Sequence, residues 1–133
     1  FELNDAVLKQ DVGRAMRIAV HFAHNQETYS ISLTISILFG LFQQLFLLNY
    51  HMWQSRKRGI PMPADAELMR AIRANNPFAV KELKANIGRW NGPRLFKILG
   101  YLREYDAKSK GVDSGGLDGG ELLKELLLKI FMS

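Results

Sequence analysis

The chain has 133 residues, 47% hydrophobic and 23% charged, with no cysteine, so disulfide frameworks, thiolate nucleophiles and cysteine zinc sites are excluded together. That size and balance suit one domain with a single core and argue against extended disorder, and the lack of cysteine fits a reducing cytoplasm. The net charge of +5 favours anionic partners such as nucleic acid or anionic lipid, but apart from Arg56, Lys57 and Arg58 the basic residues are scattered, as on a generally solvated surface.

Every long segment has helical rather than strand periodicity, so the expected class is all-α, a single bundle of about five or six helices. The opening Phe1-Glu-Leu-Asn-Asp reads as the interior of a longer protein, not a signal sequence, so a fragment is expected, with residues 1–10 a junction to a preceding domain. After a short lead carrying Leu3, Ala6, Val7 and Leu8, Asp11 is positioned to cap a helix with apolar Val12, Ala15, Ile18, Ala19 and Phe22 that ends near Asn25.

The uncharged stretch from Thr28 to Ser55 predicts the longest helix, with Ile31, Ile35, Leu38, Phe42, Leu45, Phe46 and Trp53 at helical spacing. Its length and the basic run after it invite a membrane-spanning reading. Ser32, Ser36, Gly40 and Gln43 form a small and polar stripe, and Gln43-Gln44 would sit at mid-membrane depth. A central helix enclosed by neighbours accounts for the same residues, the small ones admitting a close neighbour, and no membrane is expected.

Gly59, Pro61 and Pro63 break the chain, and Asp65 starts a short helix with Leu68, Met69 and Ile72. Asn76-Pro77 is a cap and first-turn proline for a helix with Val80, Leu83, Ile87 and Trp90 on one side. After Asn91-Gly92-Pro93 a further helix buries Leu95, Ile98, Leu99, Leu102 and Tyr105, with Arg94, Lys97, Arg103 and Glu104 outward. Gly111 to Gly120 predicts a mobile loop. Asp118 and Glu121 are spaced as a capping box for a last helix with Leu122, Leu123, Leu126, Leu127, Ile130 and Phe131.

Tests for chemistry return little. The glycines of Gly115–Gly120 lack the lysine and hydroxyl of a phosphate loop. Asp113, Ser114, Asp118 and Glu121 are oxygen ligands without calcium-loop spacing. His21 and His24, with Glu27, share one helix face but have no second ligand pair, and His51 stands alone near Trp53. No nucleophile elbow is present, so no catalytic, cofactor or metal residue is expected. Residues 65–102 admit an alternative reading as a helical nucleic-acid-binding module related to helix-turn-helix proteins, with Arg70, Arg73, Lys81 and Lys84 toward phosphates.

The run Tyr101-Leu-Arg-Glu-Tyr-Asp-Ala-Lys-Ser-Lys-Gly111 resembles the C-terminal signature of the DNA polymerase III delta subunit family, in which leucine, an acidic residue, aspartate and a serine-lysine or similar pair precede glycine. The opening Phe1-Glu-Leu-Asn-Asp-Ala resembles that family's entry into its third domain, Asn76-Pro77-Phe78-Ala-Val80-Lys81 its proline-aromatic-valine-lysine helix start, and Glu121-Leu-Leu with the leucines beyond it its last helix. The resemblance covers nearly the whole chain, and the order of the segments carries it.

It implies the collar domain of a clamp-loader subunit, a non-catalytic part of a DNA-directed DNA polymerase (nucleotidyltransferase) complex, cytoplasmic and without cofactor. The implied partners are the gamma or tau and delta-prime subunits, with the sliding clamp reached through an N-terminal domain outside this sequence and DNA through the assembled complex. On this resemblance the interface candidates are Tyr101, Arg103, Tyr105, Asp106, Lys108 and Lys110. For Asp106, Lys108 and Lys110 a polar helix end, with Asp106 capping or pairing, is the simpler expectation. Tyr101 and Tyr105 are divided between core and contact, and Trp90 is expected in the core.

Overall fold

The computed structural model describes residues 2–133; Phe1, and with it the first residue of the expected junction, lies outside the described residues. The chain is all-α, and seven α-helices occur among those residues: α1 (Glu2–Leu8), α2 (Val12–Ala23), α3 (Ile31–Arg58), α4 (Asp65–Ala71), α5 (Pro77–Asn86), α6 (Gly92–Ser109) and α7 (Gly119–Phe131), with a 3-10 turn at Ile87–Arg89. The extra helix is α1, expected as a lead. A helix so short is marginal alone, and burial of Leu3, Ala6, Val7 and Leu8 holds it.

Three helix starts follow their caps. The carboxylate of Asp11 accepts from the Arg14 amide at 3.2 Å, the Asn76 side chain from Ala79 at 2.8 Å, and the Asp118 carboxylate from Glu121 at 2.9 Å, each satisfying an amide that a helix N-terminus leaves open. Asp65 instead sits in the first turn of α4, after an Ala64 cap that makes no side-chain bond. Its carboxylate pairs with Lys84 on α5 at 2.6 Å.

The chain forms two compact units, one from residues up to Gly40 together with Lys97–Ser133, the other from Leu41–Phe96. In the first, α1 packs on α2 and α2 on α7, burying Ala15, Ala19 and Phe22 and the α7 stripe of Leu122, Leu123, Leu126, Leu127 and Ile130. The α2–α7 approach is close enough that a Cβ on Gly120 would overlap that of Ala23 and come within 3.0 Å of its Cα, and one on Gly119 would overlap Ile31. These two glycines therefore open α7 as packed residues, and the mobile loop expected to reach Gly120 ends earlier. Asp5 on α1 pairs with Arg14 at 2.8 Å and Lys9 at 3.0 Å. The Arg14 hydrogen bond holds the Asp5 carboxyl below its ordinary value, against the opposing effect of partial burial.

In the second unit α4 packs on α5, and the core gathers Phe42, Leu45 and Leu48 with Leu68, Ile72, Val80, Leu83, Trp90 and Leu95. Trp90 is fully buried with its ring edge-on to Phe42 at 5.1 Å. Arg94, expected outward, is half-buried with its guanidinium 4.2 Å above the Trp90 ring. That desolvation lowers its proton affinity, while the ring face compensates electrostatically. Gln44 donates to the Arg73 carbonyl at 2.9 Å beyond α4, where Arg73 takes φ 60°.

Charge is divided unequally. Leu41–Phe96 carries nine Lys and Arg against Asp65, Glu67 and Glu82, a formal +6, and the other unit carries nine against ten, or −1.

Helix α3 corrects two expectations. Ser36 and Gln43 are exposed, and a Cβ on Gly40 would meet nothing within 4 Å, so the small and polar stripe admits no close neighbour. Phe46 and Trp53, expected inward, are 37% and 43% exposed, and Leu41 and Leu48 are buried in the core. Its most apolar 18-residue window has a mean hydropathy of 1.9, long and apolar enough to cross a membrane, and 44% of that window is buried inside the protein.

Candidate interaction site on the C-terminal half of α6

Five of the six interface candidates lie on the last three turns of α6 and Lys110 follows its last residue, and the fold separates them into two sets. Tyr105 is fully buried, and its O–H donates a very short hydrogen bond to a carboxylate oxygen of Glu125 on α7. Burial first, and then the Glu125 carboxylate, push the phenol well above its ordinary value, so it stays protonated and keeps donating. Lys108 lies 4.6 Å from the Tyr105 ring centroid, and Lys129 from α7 lies 5.2 Å from Tyr105 and 5.4 Å from Tyr101. Glu104 pairs with Lys108 at 3.3 Å and with Lys129 at 3.8 Å. Tyr101, Tyr105 and Lys108 thus belong to a ring-and-ion lattice that fastens α6 to α7.

Arg103, Asp106 and Lys110 point elsewhere. With Ile35, Ser36, Phe39 and Leu102 they line a shallow cavity of about 320 Å³. Asp106 pairs with Lys110 at 3.0 Å, the i,i+4 pairing of a polar helix end. Arg103 is exposed and has no carboxylate partner among the described residues. A guanidinium at the lip of a part-apolar cavity can receive a carboxylate from outside. The arrangement offers binding.

Sequence reasoning missed Glu104, Glu125 and Lys129 as members of this lattice, because each reads as a solvated helix face. The i,i+4 spacing of Glu104 and Lys108 was the one local signal available.

The other candidates are placed as follows. His21 is exposed, 3.4 Å from the Asn25 side chain and with its ring 5.5 Å from that of Tyr29, and Phe22 stacks on Tyr29 at 4.2 Å. His24 ends α2 as its C-cap. No group of three or more His, Asp or Glu side chains is placed to hold a metal ion among the described residues. Asp113 takes φ 51° in the turns before α7, and Asp118 is engaged as the cap. Of the cations proposed to meet phosphates, Lys84 pairs with Asp65, whereas Arg70, Arg73 and Lys81 are exposed and have no carboxylate partner among the described residues.

No protein family, curated protein or solved structure matches this chain.

Proposed function

We propose that this chain is the C-terminal helical assembly domain of a clamp-loader delta subunit of bacterial DNA polymerase III. In this reading it is a non-catalytic, cytoplasmic piece that packs beside gamma or tau and delta-prime in a ring of helical domains. ATP-driven motion in those neighbours then positions the clamp-opening part of the subunit, and the sliding clamp is loaded on primed DNA. The observation that carries the reading is the order of the resembling segments. Asn76–Lys81 opens α5, Tyr101–Gly111 closes α6, and Glu121 with its leucines lies in the first turns of α7. The site offers binding chemistry, which suits assembly.

The test mixes the chain with gamma or tau and delta-prime from the same organism and follows size-exclusion chromatography with light scattering. Co-elution in a defined complex is expected. Arg103→Glu together with Lys110→Glu, two exposed positions, should weaken it by about tenfold or more, the scale for reversing rim charges that face opposite charge. Absence of any complex with the full set overturns the reading.

A further inference from the structure

The outward face of the second half of α3 carries a pattern that assembly does not require. Phe46, Tyr50, Trp53 and Lys57 recur at i, i+4, i+7 and i+11, a spacing that keeps them on one side of a helix. The three rings are 37%, 47% and 43% exposed. The Tyr50 and Trp53 rings lie within 19° of parallel, and Gln54 donates to the Tyr50 hydroxyl at 2.9 Å, which fixes that ring's position. One turn on, Arg56, Lys57 and Arg58 are exposed and have no ion-pair partner among the described residues, as is true of Arg70, Arg73 and Lys81 of the same unit. This is the unit that holds a formal +6.

Exposed aromatic faces leading into unpaired cations are the two components of sequence-tolerant single-strand binding. Bases stack on the rings, and phosphates displace counterions at the basic residues. A bilayer or a docking helix would want a broad apolar face, with aliphatic side chains beside the aromatic ones. Gln43 and Gln54 instead flank the rings here, and no aliphatic side chain shares their i, i+4, i+7 face. We infer that the Phe46–Tyr50–Trp53 face of α3, with Arg56, Lys57 and Arg58, is a docking surface for single-stranded nucleic acid. The inference goes beyond the assembly role and does not depend on it.

The molecule contains its own probe. Of its two tryptophans, Trp90 is fully buried and Trp53 is exposed, so quenching of the solvent-facing emission reports on Trp53. A fluorescein-labelled oligothymidine of about 20 nucleotides, enough to span a single-strand site, is titrated at low salt by anisotropy and by tryptophan emission. Binding with quenching is expected. Trp53→Ala should weaken it by about tenfold or more while Trp53→Phe largely restores it, because stacking needs a ring and not an indole. Arg56→Gln, Lys57→Gln and Arg58→Gln together should flatten the slope of log affinity against log salt by about 2.

Circular dichroism of each variant checks that helicity is kept, and the exposure of all four side chains predicts that it is. The inference is overturned if the oligonucleotide does not bind, if it binds without quenching and with wild-type affinity in Trp53→Ala, or if phosphatidylserine vesicles are bound and oligothymidine is not. Complex formation with clamp-loader subunits is read separately, so failure of one proposal leaves the other standing.

Discussion

The unit formed by Leu41–Phe96 and the unit formed by the two chain ends differ in how they use charge. The second ties its helices to one another with ionic and polar bridges: Asp5 to Arg14, Tyr105 to Glu125, and Glu104 to Lys129. The first leaves six cations without an ion-pair partner among the described residues and depends on an aromatic centre, Trp90 against Phe42 under the Arg94 guanidinium. A modest excess of positive charge in the whole sequence therefore conceals a neutral-to-acidic part whose charges mostly meet one another and a basic part with six cations available to others.

The comparison breaks most sharply at Trp90. Trp90→Ala should cost about 3–5 kcal/mol, the range for deleting a buried large aromatic, read as a lower urea midpoint by circular dichroism. A loss under about 1 kcal/mol would mean that the aromatic centre is not what holds Leu41–Phe96. In the other unit the matching test is Gly120→Ala, which must move α7 off Ala23 and should cost about 1–3 kcal/mol. Gly40→Ala has open space and sits inside α3, so it should stabilise by up to about 1 kcal/mol through helix propensity. Equal effects at the two glycines would refute the close α2–α7 approach.

Tyr105→Phe sharpens the role of polar bridging. Losing a hydrogen bond to a half-buried carboxylate should cost about 1–2 kcal/mol. Because folding raises the phenol's proton affinity, its contribution is full below the ordinary value of 10.0 and falls away as pH rises above it. The wild-type urea midpoint should therefore drop at alkaline pH more steeply than that of Tyr105→Phe. The smallest effect belongs to Asp5→Asn, a part-exposed pair contributing less than about 1 kcal/mol at neutral pH. Folding lowers that carboxyl, so its contribution is present above the ordinary 3.8 and disappears as pH falls through the folded value. The difference between wild type and Asp5→Asn should close in acid.

What was legible in the sequence was local. Asp11, Asn76 and Asp118 each cap the helix expected of them, because a cap is a bond between residues three apart. The stripes of α6 and α7 were nearly as plain, since charged residues mark most of their outer faces, although Leu99 and Phe131 are only half-buried. α3 has no charge before Arg56, so its period shows a helix but not which side faces out, and Phe46 and Trp53 were placed inward on that account. Arg94 over Trp90 and Tyr105 on Glu125 depend on how separate segments meet, which no window along the chain reports. At the α6 site the sequence singled out one stretch, and its division into a lattice on α7 and an outward-facing Arg103, Asp106 and Lys110 needed three dimensions.

The discontinuity of one unit bears on the order in which the protein can acquire its structure. Leu41–Phe96 is continuous in the chain, whereas its companion needs residues on both sides of that insert. During synthesis the inserted segment can collapse as soon as it emerges, but Ala15, Ala19 and Phe22 must wait for the leucines of α7, about a hundred residues later in the chain. Contacts of such long sequence separation are slow to close. The part of the α2 face that meets α7 is therefore uncovered until α7 emerges, and this helix is where a nascent-chain chaperone should be crosslinked.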